Sequence, residues 1–158
     1  MLTMFHQQAE RPHRVLDVEA PFACEIADPV TGEVLDARLV GVFDLVTQDS
    51  DGRHRVIEIK TGARRWTAEK LMFDLQLSCY SLAAQLMGYG DARLTVQLLL
   101  KTKQPALELY HPARTEADQR DFIAVAAGVL KAVDAGIAYP VRDWHCKGCQ
   151  YAHACVVG

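Results

Sequence analysis

Long hydrophobic runs are missing from this sequence, and no apolar stretch approaches the ~20 residues that a membrane-spanning helix needs. The first eight residues also lack the charged and apolar regions of a secretory signal peptide. These two absences predict a cytoplasmic protein with no membrane partner. The sequence also lacks a phosphate-binding loop of the helicase type, so this chain carries no ATP motor of its own.

An excess of charge of either sign is missing as well. Seventeen Lys and Arg residues stand against 20 Asp and Glu residues, which gives a formal net charge of −3. This balance argues against a uniformly basic nucleic-acid-binding protein but permits a local basic patch. The chain has 158 residues, of which 50% are apolar and 23% charged, as is usual for a soluble globular protein. A single domain of this length buries roughly 70% of its unfolded surface.

Cysteine occurs five times, and this odd number disfavours a complete disulfide framework. Three of the cysteines crowd near the C-terminus with the spacing Cys146-x2-Cys149-x5-Cys155. In a reducing compartment, thiols this close together favour a bound metal over disulfides. The spacing suits either zinc, with His145 or His153 as a fourth ligand, or an iron–sulfur cluster.

The apolar pattern predicts a mixed β-sheet with helices against it, of the α/β or α+β class. The order of elements is β-β-β-α-β-β-α, and the first three strands form an antiparallel meander. The strands are predicted at 15–27, 34–47, 54–60, 92–101 and 106–110, and the helices at 67–87 and 115–135. We divide the chain into a lead-in at 1–14, a core at 15–140 and a cysteine-rich tail at 141–158 that packs on the core.

The first long helix is predicted to turn one apolar stripe toward the core. Its apolar residues step by four, four, three and four positions along the sequence. The stripe consists of Leu71, Leu75, Cys79, Leu82 and Leu86.

The strongest candidate for a functional site lies on the second and third strands. Glu58 and Lys60 are two residues apart on one strand, so they share a face, while Ile57 and Ile59 point to the core. We expect Glu58 and Lys60 to project toward an open side, with Asp44 beside them on the neighbouring strand. Two carboxylates and a lysine suit a divalent cation and a developing negative charge. Taken alone, a Glu-x-Lys strand is more often a solvated face.

Neighbouring residues strengthen the functional interpretation. The third strand leads into a flexible loop that contains Arg64 and Arg65, and Lys70 follows closely. Gln76 and Tyr80 lie four residues apart and therefore on one face of the next helix. These residues also have a purely structural interpretation. The basic residues would then form a solvated loop, Gln76 would be a surface residue and Tyr80 would be half-buried.

Three motifs in order, Gly41-x-x-Asp44, Glu58-Ile59-Lys60-Thr61-Gly62 and Gln76-x-x-x-Tyr80, resemble those of the PD-(D/E)XK nuclease superfamily. Within it the chain looks like the RecB branch, which includes RecB- and AddB-type helicase–nucleases and CRISPR-associated RecB-like exonucleases. The resemblance covers roughly residues 15–155 and implies a restriction-endonuclease-like fold.

The resemblance implies a role for each matching residue. Asp44, Glu58 and Lys60 would be catalytic, and Mg²⁺ or Mn²⁺ would be bound by Asp44, Glu58 and the Ile59 carbonyl. Lys60 would orient or help deprotonate the attacking water and stabilise charge on the phosphate. Gln76 and Tyr80 would position the DNA strand. From their charge alone, Arg64, Arg65 and Lys70 are predicted to bind DNA by contacting its phosphates.

The resemblance also favours a [4Fe-4S] cluster over zinc, because iron–sulfur members of the branch carry such a C-terminal triplet and a fourth cysteine upstream. This sequence departs from that pattern, since residues 1–14 contain no cysteine. Cys24 is the only upstream candidate, and its alternation with Phe22 and Ile26 is more typical of a buried apolar residue. A further acid or histidine that relatives place on an N-terminal helix has no convincing counterpart. We therefore expect this chain to lack an N-terminal segment of the usual domain.

The sequence thus predicts a Mg²⁺- or Mn²⁺-dependent DNA nuclease, most simply an exonuclease, in DNA repair, recombination or phage- or CRISPR-related DNA processing. A helicase or another DNA-processing subunit is a candidate partner by analogy with the family. Two alternatives stay open at this stage. One is a non-catalytic DNA- or partner-binding module with the nuclease fold, and the other is a zinc-stapled structural domain.

Overall fold

A five-stranded mixed sheet is the centre of the longer of two units in the chain. The computed structural model describes residues 2–137 and 139–157, and the units meet at residues 125 and 126. In chain order the first contains α1 (Leu2–Gln8), β1 (Arg14–Ala27), β2 (Val34–Gln48), β3 (His54–Gly62), α2 (Ala68–Phe73), α3 (Leu75–Ala84), β4 (Arg93–Leu100) and β5 (Ala106–Tyr110). Helix α4 (Glu116–Asp134) contains the boundary, and a 3₁₀ helix (Trp144–Gly148) and α5 (Ala152–Val157) follow it. The predicted division at residues 14 and 140 stays a prediction.

The strands are ordered β1-β2-β3-β4-β5 across the sheet. The first three form the predicted antiparallel meander, β4 pairs in parallel with β3, and β5 is antiparallel to β4. A parallel pair needs a crossover connection, which α2 and α3 provide. The predicted mixed sheet flanked by helices is therefore confirmed, as is the position of α4. The predicted cap of α4 is present. The Thr115 N–H donates a hydrogen bond of 2.7 Å to the Asp118 carboxylate, and the Asp118 N–H donates one of 3.4 Å to the Thr115 hydroxyl.

The main core lies between α3 and one face of the sheet. Its side chains come from β1, β2, β3, β4 and α3, and Phe43, Val46, Val56 and Val96 are almost fully buried. Ala83 and Ala84 of α3 are completely buried, and small side chains there let the helix approach the sheet closely. The packing of α3 on this face decides which strand residues meet helical partners.

A glycine in the first predicted motif also serves this core. Gly41 on β2 lies opposite Phe22 on β1, and a Cβ atom at Gly41 would stand 2.4 Å from Phe22 Cζ. The Phe22 ring instead packs against Phe43 at 4.6 Å and against Tyr80 at 6.1 Å between ring centroids. Gly41 thus makes space for the aromatic group that supports Tyr80.

The predicted helix at 67–87 is not continuous, and this corrects the sequence interpretation. Asp74 is extended, with φ −73° and ψ 107°, and separates α2 from α3. Its side chain accepts a hydrogen bond of 3.2 Å from the Leu77 N–H and so caps α3. After α3 the chain continues as a π-helical turn at Gln85–Tyr89.

The break also changes the buried face of the helix. Leu82 is buried as predicted, but Leu75 and Leu86 are exposed at 48% and 50%. Helical spacing predicts a common face only while the helix is uninterrupted, and Asp74 resets its phase. As a result, α3 buries Leu77 and Tyr80 instead.

Within the described residues, no helix is long and apolar enough to cross a membrane.

Candidate active site

The two predicted acids lie where strands β2 and β3 stop pairing with each other. The β2–β3 ladder runs from Gln48↔His54 to Leu45↔Ile57, and the next residues on the two strands are Asp44 and Glu58. Asp44 Oδ2 accepts a hydrogen bond of 2.8 Å from the Ile59 backbone N–H. A side chain thus bridges the strands just beyond the last ladder pair.

Glu58 is buried, contrary to the prediction that it faces an open side. Only 3% of Glu58 is exposed, whereas Ile59, predicted to enter the core, is 38% exposed. The cause is α3, which covers the sheet face that carries Glu58. Lys60 forms an ion pair with Glu58 Oε1, and its side chain is 35% exposed. The pair therefore joins a buried acid to a lysine that reaches solvent.

Gln76 and Tyr80 hold this buried carboxylate. Gln76 Nε2 donates hydrogen bonds to Glu58 Oε1 at 3.0 Å and to Tyr80 Oη at 2.9 Å. The Tyr80 hydroxyl donates in turn to the Val42 carbonyl at 2.8 Å. The structure thus brings both helical residues to the acids. Their predicted contact with a DNA strand stays a prediction.

Burial dominates the electrostatics of the site. It raises the pKa of Glu58 above its ordinary value, Lys60 opposes that shift, and the Asp44 charge adds to it. Burial also raises the pKa of the Tyr80 hydroxyl, so this group stays protonated and remains a donor. An ionised Glu58 is therefore costly here unless further positive charge is present.

One oxygen of Glu58 provides a test of whether a cation fits. Glu58 Oε2 is buried and has no hydrogen-bond partner among the described residues. Asp44 lies near enough for its charge to act on Glu58. Hard divalent cations prefer oxygen donors and retain several waters. The described residues contain no cluster of three or more His, Cys, Asp or Glu side chains that could hold a metal. Two neighbouring carboxylates, one of them with a buried oxygen that lacks a partner among the described residues, fit a hard cation such as Mg²⁺ or Mn²⁺ whose remaining ligands are waters.

The loop after β3 is anchored, although the sequence predicted a flexible one. The ring of Trp66 stacks on that of Tyr110 with centroids 6.4 Å apart, and the backbone N–H of Trp66 donates a hydrogen bond of 3.1 Å to the Tyr110 hydroxyl. Lys70 Nζ lies 4.3 Å from the Trp66 ring centroid. The sequence analysis did not single out Trp66. The available signal was its position as an aromatic residue directly after Arg64 and Arg65.

Two of the three predicted phosphate contacts already have acidic partners. Arg65 pairs with Glu108 at 2.8 Å, and Lys70 lies 3.8 Å from Asp74. Arg64 is exposed. Binding of DNA phosphates by these three residues stays a prediction.

The C-terminal thiols lie in the second unit, in and after the 3₁₀ helix. Cys146 is half-buried, and its Sγ accepts a hydrogen bond of 3.3 Å from the Asp143 N–H. Cys149 and Cys155 are exposed, and all three are free thiols. Because no metal-binding cluster is present among the described residues, these thiols do not form a closed ligand set. The iron–sulfur and zinc assignments stay predictions.

The remaining two cysteines belong to the first unit. Cys24 is buried in the core as part of β1, and burial raises the pKa of its thiol. Burial also raises the pKa of Cys79 to about 11, and Cys24 adds to this shift. Both groups are therefore neutral thiols near physiological pH, as expected for apolar core residues. Use of Cys24 as a fourth cluster ligand stays a prediction.

The chain belongs to the PD-(D/E)XK nuclease superfamily, because the sequence model of that family matches residues 1–156. This confirms the resemblance at the level of the superfamily. No curated protein matches the chain at a significant level.

Two solved structures share the fold. The crystal structure of SSO0001 has a TM-score of 0.54 and 20% identity, with 89% of this chain and 60% of that one covered. A protein from Eubacterium rectale, named as a candidate exonuclease, has a TM-score of 0.51 and 11% identity, with 87% of this chain and 51% of that one covered. This chain therefore spans only 60% and 51% of the two proteins that it resembles.

Proposed function

We propose that this protein is a Mg²⁺- or Mn²⁺-dependent deoxyribonuclease of the RecB type that acts as an exonuclease. The observation that carries the proposal is the buried Glu58 carboxylate, which has one oxygen without a partner among the described residues and lies beside Asp44 and Lys60. Membership of a nuclease superfamily supports it.

The chemistry is hydrolysis of a phosphodiester. A water oxygen forms a bond to phosphorus, one bridging P–O bond breaks, and the leaving oxygen takes a proton. Asp44, Glu58 and the Ile59 carbonyl would hold the cation. When bound, it supplies a water of lowered pKa and positive charge near the phosphate.

The side chains of this protein have distinct tasks in that reaction. Lys60 and Asp44 are both partly exposed, whereas Glu58 is buried. From this position Lys60 would donate hydrogen bonds to the attacking water and to phosphate oxygens. Gln76 fixes the orientation of Glu58 through Oε1 and leaves Oε2 available. The Tyr80 hydroxyl accepts a hydrogen bond from Gln76 and donates one to the Val42 carbonyl, so it connects Gln76 to the backbone of β2.

The test is cleavage of end-labelled single- and double-stranded DNA with Mg²⁺, with Mn²⁺ and with EDTA. Asp44→Asn and Lys60→Ala should each lower kcat by about 100-fold or more. Asp36→Asn, also on β2 but exposed, and Lys103→Ala, also exposed, are the matched controls and should keep the wild-type rate. An active wild type whose rate is unchanged by Asp44→Asn and Lys60→Ala would show that the site is assigned wrongly.

The finer assignments belong to the same proposal. We propose a role in DNA repair, recombination or phage- or CRISPR-related DNA processing, with a helicase or other DNA-processing subunit as partner, and these rest on the RecB resemblance alone. The spacing of Cys146, Cys149 and Cys155 supports a [4Fe-4S] cluster, with zinc as the alternative. Anaerobic purification followed by iron, sulfide and zinc analysis tests this, and stoichiometric zinc without iron would contradict the cluster.

A further inference from the structure

The break between α2 and α3 leaves backbone groups that need partners from elsewhere. The last carbonyls of a helix have no intrahelical N–H partner. Leu71 lies in the last turn of α2, and the extended residue Asp74 interrupts the helical ladder. A bend of this kind persists only when surrounding groups satisfy the exposed carbonyls.

Arg114, in the loop between β5 and α4, supplies that partner. Its Nη2 donates to the Leu71 carbonyl at 2.6 Å and to the Asp74 carbonyl at 3.3 Å. Its Nε donates to Ser78 Oγ at 3.0 Å, and its Nη1 to the Ala113 carbonyl at 2.9 Å. One guanidinium thus joins the end of α2, the break and the first half of α3. A lysine has no planar fork with which to reproduce these directions.

The segment that Arg114 holds carries Gln76. This residue lies two positions after Asp74 and two before Ser78, between two anchoring points of the guanidinium. Each residue of an α-helix turns by about 100°, so a change in phase at the break moves Gln76 off its present direction. The contact at stake is the 3.0 Å hydrogen bond from Gln76 to Glu58.

We propose that Arg114 is a positioning residue for the candidate nuclease centre, because it fixes the break between α2 and α3 and thereby sets Gln76 against Glu58. Its role in cleavage rests on the proposed function, whereas its effect on Gln76 does not. Within the part of the chain that the structure describes, no hydrogen bond of Arg114 reaches Asp44, Glu58 or Lys60, so it acts through the helix.

The first experiment observes Gln76 directly. Its side-chain NH₂ resonances are assigned in ¹⁵N NMR spectra by their loss in Gln76→Leu. Arg114→Met should shift these resonances and speed exchange of their protons with solvent. Arg120→Met is the matched control, since Arg120 is an exposed arginine of α4 in an ion pair with Glu116 at 3.7 Å, and it should leave them unchanged. Unchanged Gln76 resonances in a folded Arg114→Met protein would overturn the inference.

The second experiment measures cleavage kinetics as a double-mutant cycle. Arg114→Met should lower kcat by about 10-fold and change KM for DNA by less than about twofold, as for groups that orient metal ligands. Combined with Gln76→Leu it should add almost nothing, because both substitutions remove one contact. Independent, multiplying effects would contradict action through Gln76.

The two proposals can fail separately. A wild-type protein without nuclease activity would contradict the proposed function. The NMR comparison would still test whether Arg114 positions Gln76. If Arg114→Met does not fold, Arg114→Lys keeps the charge and takes its place. The same displacement of the Gln76 resonances is then expected, and their retention again overturns the inference.

Discussion

Gln76 donates a 3.0 Å hydrogen bond to Glu58, the carboxylate that carries the proposed nuclease chemistry and is only 3% exposed. The pair joins helix α3 to strand β3 and is completed by Lys60, which binds the same oxygen. This arrangement ties the stability of the fold to the charge of the site, and the consequences are measurable without substrate.

The first prediction concerns removal of the buried charge. Glu58→Gln should raise the free energy of unfolding in EDTA at about pH 8 by on the order of 1 kcal/mol, because a buried charge is replaced by a neutral group of the same shape. Burial raises the pKa of Glu58 in the folded state. The folded state therefore favours the protonated carboxyl, and this contribution to stability is complete at low pH and is lost as the pH rises through the folded-state pKa. The difference in free energy of unfolding between Glu58→Gln and wild type should accordingly shrink near pH 4.

Urea unfolding at both pH values measures this difference. Glu25→Gln, an exposed position on β1, is the control and should have little effect. A Glu58→Gln protein that is less stable than wild type in EDTA would contradict the cost assigned to the buried carboxylate.

The second prediction concerns the partner of that charge. Lys60→Met should destabilise the metal-free protein by about 2 kcal/mol at neutral pH, because Glu58 is left without its cation. Saturating Mg²⁺ should recover part of the loss, since a cation bound at the carboxylates stabilises the folded state. Thermal melts with and without Mg²⁺ measure both effects, and an equal loss in both conditions would argue against cation binding at Glu58.

The third prediction concerns acid stability and a second charged cluster. Asp49 accepts two hydrogen bonds from Arg55, at 3.0 and 2.8 Å, and one from Arg93 at 2.6 Å. The Arg55 hydrogen bond is the main cause that lowers the pKa of Asp49. This stabilisation is complete above the unfolded carboxyl pKa of about 3.9 and is lost as the pH falls through the folded-state pKa.

Asp49→Asn should therefore cost about 1–3 kcal/mol at neutral pH and progressively less in acid. Asp36→Asn, at an exposed position on β2, should cost almost nothing at either pH. Urea denaturation from neutral pH into the acid range measures the two curves. A pH-independent loss in Asp49→Asn would mean that the ion pairs do not account for its effect.

The fourth prediction concerns the glycine of the first motif. Gly41→Ala should destabilise the protein by about 1–3 kcal/mol, because its Cβ would stand 2.4 Å from Phe22 Cζ in a packed core. Gly128→Ala is a matched control within α4, where an added Cβ meets nothing within 4 Å, and it should stabilise by about 0.5–1 kcal/mol. Denaturant midpoints of the two variants should thus move in opposite directions. Equal shifts would show that the Phe22 contact does not constrain Gly41.

The sequence predicts the strands well because their determinants are local. Turn residues separate the first three runs, and alternation identifies the faces of β1, where Phe22, Cys24 and Ile26 are all buried. The continuous apolar run of β4 predicts a strand that is covered on both faces. These patterns need no knowledge of what packs on the sheet.

The break at Asp74 and the burial of Glu58 depend on tertiary structure and were not predictable in that way. The apolar spacing from Leu71 to Leu86 fits one continuous helix, and Asp74 was only a weak cap signal within it. Alternation correctly separates Glu58 from Ile57 but cannot say which face a helix covers. The position of α3 decides that, and it depends on contacts far along the chain.

The bridge from Asp44 to the Ile59 N–H has a consequence for observing the site in solution. That amide proton is satisfied by a side chain rather than by a neighbouring strand. Its rate of exchange with deuterium therefore monitors the Asp44 carboxylate itself, while the amides of the adjacent ladder monitor the sheet. A cation that draws the Asp44 carboxylate away from the Ile59 N–H should accelerate exchange at this one amide. Exchange at Ile59 can therefore report whether the proposed cation site is occupied.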